Sequence, residues 1–327
     1  LDFITPYARL IEQRLQSLDW PDSPESLYEP QRYVLRNGGK RIRPIFTLMA
    51  CGLCGGNTDE SLPAATAVEL IHNFTLLHDD IMDQADSRRG NPTVHKKWDV
   101  STAILAGDGM FVNGLLELLN YSDKLKDANK YNRLNRIILD AVKLVCEGQA
   151  LDMEFADRDD VTTDEYLQMI GGKTAQLLSA SLRMGGIVAG ASENELESLH
   201  TFGMSAGLAF QIQDDLLDII GDPEKFGKVP MGDIRECKKT YLMLLALERC
   251  TNDERTLLNN WLQKKQLNDD ETDAVMQYFK KYSVMDTASE LMNFYYEKAK
   301  ESLIPFADSN YKADLLNVLI YLQNREK

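Results

Sequence analysis

Proline is missing from the whole stretch between Pro92 and Pro223, although the chain of 327 residues holds ten. So long a run without the residue that breaks helices, and with few alternating β-branched segments, argues against a strand-rich fold and reads as helix after helix. Positive charge is also scarce: 36 Lys and Arg stand against 51 Asp and Glu, a net charge of -15. That balance argues for no nucleic acid as a partner, since phosphate backbones are bound by basic surfaces. It leaves room for small anions held by local basic clusters. No apolar run approaches the ~18 residues of a membrane span. The first twenty residues carry Asp2, Arg9, Glu12, Arg14 and Asp19, unlike a secretory leader. Cysteine is sparse and odd in number, five, which suits a reducing compartment. Cys51 and Cys54 have the spacing of half a zinc site, with no second pair or suitably spaced His to complete it. Low-complexity linkers and solenoid repeats are missing too. The expectation is one all-α domain over residues 1–327, cytoplasmic and without a membrane span.

What is present is acidic, helical and repeated. Asp79-Asp80-Ile81-Met82-Asp83 and Asp214-Asp215-Leu216-Leu217-Asp218 both spell Asp-Asp-x-x-Asp. The first and last Asp of each are i and i+4 neighbours on one helix face. Two such pairs facing each other would form an all-oxygen nest for hard divalent cations, and Mg²⁺ bridging carboxylate and diphosphate oxygens is the usual use of that ligand set. A solitary cluster of this kind is ordinarily solvated helix surface. Two copies, preceded by Phe74-Thr75-Leu76-Leu77 and Leu208-Ala209-Phe210, reverse that preference.

Residues 63–84 carry Ala67, Leu70, Ile71, Phe74, Leu77 and Ile81 at helical spacing, with Pro63 suited to a first turn. Ser192 and Glu195 have the spacing of a capping box, opening the helix of the second motif. Further helices are expected over 3–18, 25–37, 42–53, 99–119, 129–156, 163–189, 239–250, 253–264, 270–282, 285–302 and 308–324. At 100° per residue, His72 lies within about 20° of both Asp79 and Asp83, and Gln211, Asp214 and Asp218 fall within about 60° of each other. Both helices would thus present polar atoms toward a common cavity. Basic residues lie nearby in sequence: Lys40, Arg41 and Arg43 after Gly38-Gly39, Arg88-Arg89 on a loop after the first motif, and Lys228 and Lys238 after the second. Lys173-Thr174 follow Gly171-Gly172, where two glycines inside a helix suggest a kink or a close approach. Arg suits bidentate phosphate recognition and Lys supplies a mobile point charge.

These segments, from GGKRIRP at Gly38 through LIHNFTLLHDDIMD, RRGNPTVH, EGQALDME and GGKTA to FQIQDDLLDIIGD, resemble the trans-isoprenyl diphosphate synthases, the group of farnesyl and geranylgeranyl diphosphate synthases. The resemblance covers about Gly38 to Thr240; the last ~85 residues are helical without signature. It implies a helical bundle of the isoprenoid synthase type with a central cavity, usually in a homodimer. It also implies Mg²⁺, three ions per active site, on Asp79, Asp83 and Asp214, with Asp218 close by and Asp152 able to join. Arg88, Lys173, Thr174, Gln211, Lys228 and Lys238 match groups that hold the allylic diphosphate (dimethylallyl, geranyl or farnesyl). Lys40, Arg43, His72 and Arg89 match the pocket for isopentenyl diphosphate. Where the family commonly has Pro, this chain has Leu242.

The implied reaction is ionisation, condensation and elimination, with Asp79, Asp83, Arg88, Lys173, Asp214 and Lys228 central. Loops 84–95 and 221–238 are candidates for closing over bound diphosphates. Ile71, Phe74 and Thr75 are the residues expected to floor the growing chain. One aromatic there, without a two-residue insertion in the first motif, resembles geranylgeranyl (C20) types, with farnesyl (C15) and longer-chain products as alternatives. A class I terpene cyclase would not need GGKRIRP, and a non-catalytic subunit would not keep both acidic motifs.

Overall fold

The computed structural model describes residues 2–121, 128–220, 231–264 and 266–324. The chain is all-α, as expected. Its long helices are Thr5–Gln16, Glu25–Arg36, Ile42–Leu53, Leu62–Met82, Val100–Leu118, Ala128–Asp157, Gln176–Ala189, Glu193–Ile220, Asn252–Leu262, Asp269–Lys281, Val284–Ser302 and Asn310–Gln323, with shorter ones at Thr163–Ile170 and Tyr241–Arg249. Among the described residues the strands are Ser87–Arg88 and Asn91–Pro92, an antiparallel hairpin within what the sequence presents as a loop.

Local chemistry explains the boundaries. Ser192 and Glu195 form the expected capping box, each side chain satisfying the other's backbone N–H. Thr162 with Glu165, Thr251 with Glu254 and Asn268 with Glu271 repeat the device. The expected helix 163–189 is broken by one π-helical turn, Gly171–Ala175, a form that recurs at functional sites. Lys239 donates to the carbonyls of Phe155, Ala156 and Arg158, satisfying acceptors where the Ala128–Asp157 helix ends.

The chain divides into two compact units: Leu1–Asp140 with Ala180–Leu199 and Phe306–Leu315, and Ala141–Ser179 with His200–Pro305 and Leu316–Lys327. The first unit has the Leu62–Met82 helix in its core, where Leu70 and Leu77 join Ile11, Leu48, Ala106 and Met110. A fully buried Leu or Ile contributes about 1.5–3 kcal/mol. Small residues let the Val100–Leu118 helix approach: a Cβ on Gly114 would lie 2.7 Å from Cγ1 of Ile71, and one on Gly107 2.5 Å from Nε2 of His78. In the second unit every residue from Tyr241 to Leu247 is buried, packed with Ile212, Leu216, Val275 and Phe279. Leu242 sits in the first turn of that helix, where proline would be tolerated equally, so the departure from the family pattern leaves the helix intact.

Candidate active site

In the first unit, Asp79, Asp80 and Asp83 lie at the C-terminal end of the Leu62–Met82 helix, Asp83 being its C-cap. Asp79 is half-buried and Asp83 exposed, whereas Asp80 points inward and is buried. Asp80 Oδ1 accepts from Arg88 Nε at 2.7 Å, and Arg88 also stands 3.6 Å from Asp79. Burial raises the Asp80 carboxyl above its ordinary value, and the charge and hydrogen bond of Arg88 oppose that rise. The middle aspartate therefore anchors an arginine, while Asp79 stays half-buried and Asp83 lies exposed. No basic residue occupies the last turn of this helix. Its terminal carbonyls thus add to the negative potential of the carboxylates.

The hairpin holds Arg88 and Arg89. Arg89 adopts φ 54° and Gly90 φ 76°. Tyr33 donates to the Pro92 carbonyl at 2.8 Å, and the Lys97 ammonium lies 3.7 Å above the Tyr33 ring. Arg89 donates to the carbonyl of Gly38. A small cleft opens here, lined by Asn37, Asn73, Asp80, Arg88 and Arg89 among others.

The segment Gly38–Arg43 divides its charges. Lys40 is exposed. Arg41 is buried and engages Glu12, Glu69 and the Leu35 carbonyl. Arg43 meets His72 at 3.2 Å, Nη1 to Nε2. Burial pushes Arg43 down to about 10, partly offset by Glu69 and reinforced by Arg89. Burial also presses His72 well below its ordinary value, reinforced by Arg43, Arg89, Arg88 and Arg41, so the imidazole is neutral. Arg43, His72 and the Arg89–Gly38 contact thus fall within one unit. Ile71 is fully buried against Gly114. Phe74 packs on His78 and Phe111, ring centroids 4.9 and 5.3 Å apart. Thr75 bonds back to the His72 carbonyl.

The second unit repeats the pattern of the first motif. Asp214 and Asp218 are half-buried while Asp215 between them is buried. Asp215 Oδ2 accepts from Tyr166 Oη at 2.7 Å and from the Tyr241 N–H at 3.2 Å. Burial pushes its carboxyl up to about 7, against the lowering effect of Tyr166. Asp218 accepts from the Asp233 N–H at 2.9 Å. No basic residue occupies the last turn of this helix either. Lys173 pairs with Asp152 at 2.6 Å, and Thr174 donates to Gln211 at 3.3 Å. The glycines permit this approach: a Cβ on Gly148 would lie 2.4 Å from Lys173 N, and one on Gly172 2.7 Å from the Leu144 carbonyl oxygen. The glycine pair therefore marks both a helix irregularity and a close crossing. Lys238 is exposed and pairs with Asp233 and Glu236. Lys228 lies outside the described residues.

The polyprenyl synthetase family model matches residues 24–279. The chain belongs to the polyprenyl synthetase family. It is accordingly a prenyltransferase of isoprenoid biosynthesis. Among its relatives, the geranylgeranyl diphosphate synthase of Saccharolobus solfataricus is 40% identical over 290 residues, covering 89% of this chain and 87% of the relative. The short chain isoprenyl diphosphate synthase of Methanothermobacter thermautotrophicus is 35% identical over 327 residues, covering 100% and 98%. The crystal structure of a geranylgeranyl pyrophosphate synthetase from Pyrococcus horikoshii superposes with a TM-score of 0.92 at 36% identity, covering 98% of this chain and 97% of that one.

As a polyprenyl synthetase, the chain presents carboxylate oxygens suited to Mg²⁺. Among the described residues, no three His, Cys, Asp or Glu side chains form a metal cage by themselves. Mg²⁺ is ordinarily held by one or two carboxylates completed by substrate phosphates and water, so the outer aspartates of each motif fit it. Sequence reasoning missed Asp80, Asp215 and Tyr166. For the two aspartates a signal was present in the wheel, since the second Asp of each motif lies about 100° from the first and about 60° from the last. Glu69 was missed because a carboxylate inside an apolar helix has no sequence mark of its partner.

Proposed function

We propose that the enzyme condenses isopentenyl diphosphate with dimethylallyl, geranyl or farnesyl diphosphate and stops at geranylgeranyl diphosphate. The observation that carries the product is the 40% identity to geranylgeranyl diphosphate synthases over most of the chain. Phe74, backed by Phe111, supports it as a bulky floor one turn below the first motif.

In this reading Asp79, Asp83, Asp214 and Asp218, with Asp152, hold Mg²⁺. When bound, the metal neutralises charge on the departing diphosphate. Arg88, Lys173, Lys228 and Lys238, with Thr174 and Gln211, hold the allylic diphosphate and stabilise negative charge as the carbon–oxygen bond breaks and its electrons pass to the leaving group. Removing one such donor costs about 10²–10³ in rate. Lys40, Arg43, Arg89 and neutral His72 hold isopentenyl diphosphate, whose double bond attacks the allylic carbon. A proton then leaves the new chain for the released diphosphate, so no protein base is assigned. Asp80 and Asp215 position the outer aspartates.

A homodimer is part of the proposal. Ile104, Leu105, Val112 and Leu116 are 41%, 59%, 52% and 52% exposed on the Val100–Leu118 helix, an apolar face suited to a second copy. Light scattering at the mass of one chain would remove that part. The deciding experiment supplies each allylic diphosphate with isopentenyl diphosphate and Mg²⁺ and weighs the product. A C20 product supports the reading. A C15 or longer product overturns the chain length, and a cyclised hydrocarbon from an allylic diphosphate alone overturns the reaction.

A further inference from the structure

Glu69 is a carboxylate in the midst of an apolar helix and is 1% exposed. Burying a charge costs several kcal/mol unless partners compensate it. One oxygen takes both available donors: Arg41 Nη1 at 2.6 Å and Asn73 Nδ2 at 2.9 Å. Arg41 in turn gives Nε to Glu12 at 2.7 Å and Nη2 to the Leu35 carbonyl at 2.7 Å. Three acceptors on three nitrogens fix the plane of the guanidinium. Both side chains of the Glu69–Arg41 pair are 2% exposed, so neither can reach a ligand.

What the pair does hold is a strained turn. Gly38, Gly39 and Arg41 have φ 72°, 144° and 50°. Left-handed backbone at a non-glycine residue costs about 1–2 kcal/mol and persists where its surroundings over-determine it. Here the turn is gripped at both ends. Arg41 ties one end to Glu69, and Arg89 donates to the Gly38 carbonyl at the other. The fit at Gly39 is close, since a Cβ there would lie 2.6 Å from the Arg89 guanidinium. Lys40 sits between the two grips, and Arg43 lies two residues beyond Arg41. The charge of Glu69 is also felt by Arg43 and Arg89. One buried anion thereby holds several cations together before any diphosphate arrives.

We propose that Glu69, acting through Arg41, is a positioning residue that pre-forms the isopentenyl diphosphate pocket by fixing the turn that carries Lys40 and meets Arg89. The inference rests on the assignment of Lys40, Arg43, His72 and Arg89 to that pocket. A pocket formed in advance binds more tightly because less ordering remains to be done on binding. Removing the anchor therefore weakens one substrate and spares the other.

The test varies each substrate separately, with Mg²⁺, in the full chain and in Glu69→Gln. The expected result is a KM for isopentenyl diphosphate raised about tenfold, with kcat and the allylic KM within about threefold. Glu12→Gln, at a side chain 41% exposed, loosens Arg41 from its other side and should raise the same KM about two- to threefold. A folded Glu69→Gln with an unchanged isopentenyl KM, or with both KM values and kcat impaired together, overturns the proposal. Should Glu69→Gln fail to fold, Glu12→Gln decides by the same criterion. A wild-type chain that consumes no isopentenyl diphosphate sinks the proposed function and this inference with it; an active one whose KM does not move sinks only the inference.

Discussion

Replacing Gly148 by alanine sets two physical rules against each other. Helix propensity alone favours Ala over Gly in the interior of the Ala128–Asp157 helix by about 1 kcal/mol. The crossing disfavours it: the new Cβ would lie 2.4 Å from Lys173 N, 2.8 Å from Met169 O and 3.0 Å from Gly172 C. Ordinary contact begins near 3.4 Å, and all three atoms belong to the backbone, so no side chain can rotate aside. The Gly171–Ala175 turn must retreat by about 1 Å, and overpacking of this kind costs about 1–3 kcal/mol. With the clash at its most severe end, a net loss of about 2 kcal/mol is expected, a Tm lowered by roughly 3 °C for a chain of this size. Retreat of the turn also carries Lys173 away from Asp152, and a 1 Å misplacement can cost about 10²-fold in rate. Gly171→Ala is the control. Its Cβ would meet only Met204 at 3.8 Å and Leu208 at 4.0 Å, so it should melt at or above the parent. Calorimetry and steady-state rates on the two variants read both effects. A Gly148→Ala protein as stable and as fast as the parent would refute the reasoning.

Three further outcomes follow from the site. Asp80→Asn keeps shape but removes the charge that Arg88 Nε holds at 2.7 Å; kcat/KM for the allylic substrate should fall about 10–10²-fold, and an unchanged value separates Asp80 from the chemistry. Phe74→Ala opens space against Phe111 and should lengthen the product, read by mass; an unaltered distribution removes Phe74 as the floor. Asp215 titrates at about 7 when folded against an ordinary 3.8, so between those values the folded chain binds more protons than the unfolded one. Its contribution to stability therefore declines as pH rises from 3.8 to about 7 and then levels. Asp215→Asn should flatten that part of the curve in metal-free denaturant titrations, and a slope matching the parent's would contradict the assignment.

Much of the fold is legible in the chain because helices report themselves locally. The spacing of Leu70, Phe74 and Leu77, the Ser192–Glu195 box and the 42–53 helix all depend on neighbours a few residues apart. The outer aspartates are equally legible, since i and i+4 suffices to place them together. What escapes is whatever depends on a distant partner. Asp80 needs Arg88 across a hairpin, Asp215 needs Tyr166 49 residues away, and Arg41 needs Glu69 28 residues on. Charge in a sequence reads as surface; only packing shows that Arg41 is buried. The Ser87–Pro92 hairpin escapes for another reason, being too short for an alternating pattern to register.

Under the proposed function, the inward turn of Asp80 and Asp215 separates holding a ligand from holding a shape within five residues. In that reading the outer positions of each motif set ion affinity, Asp218 also accepting the Asp233 N–H. Inner positions differ: altering one disturbs an arginine or a tyrosine before it disturbs any metal. A library randomised at the outer aspartates should accordingly lose activity before stability, and one randomised at the inner pair should lose stability at most substitutions, with the isosteric Asn best tolerated.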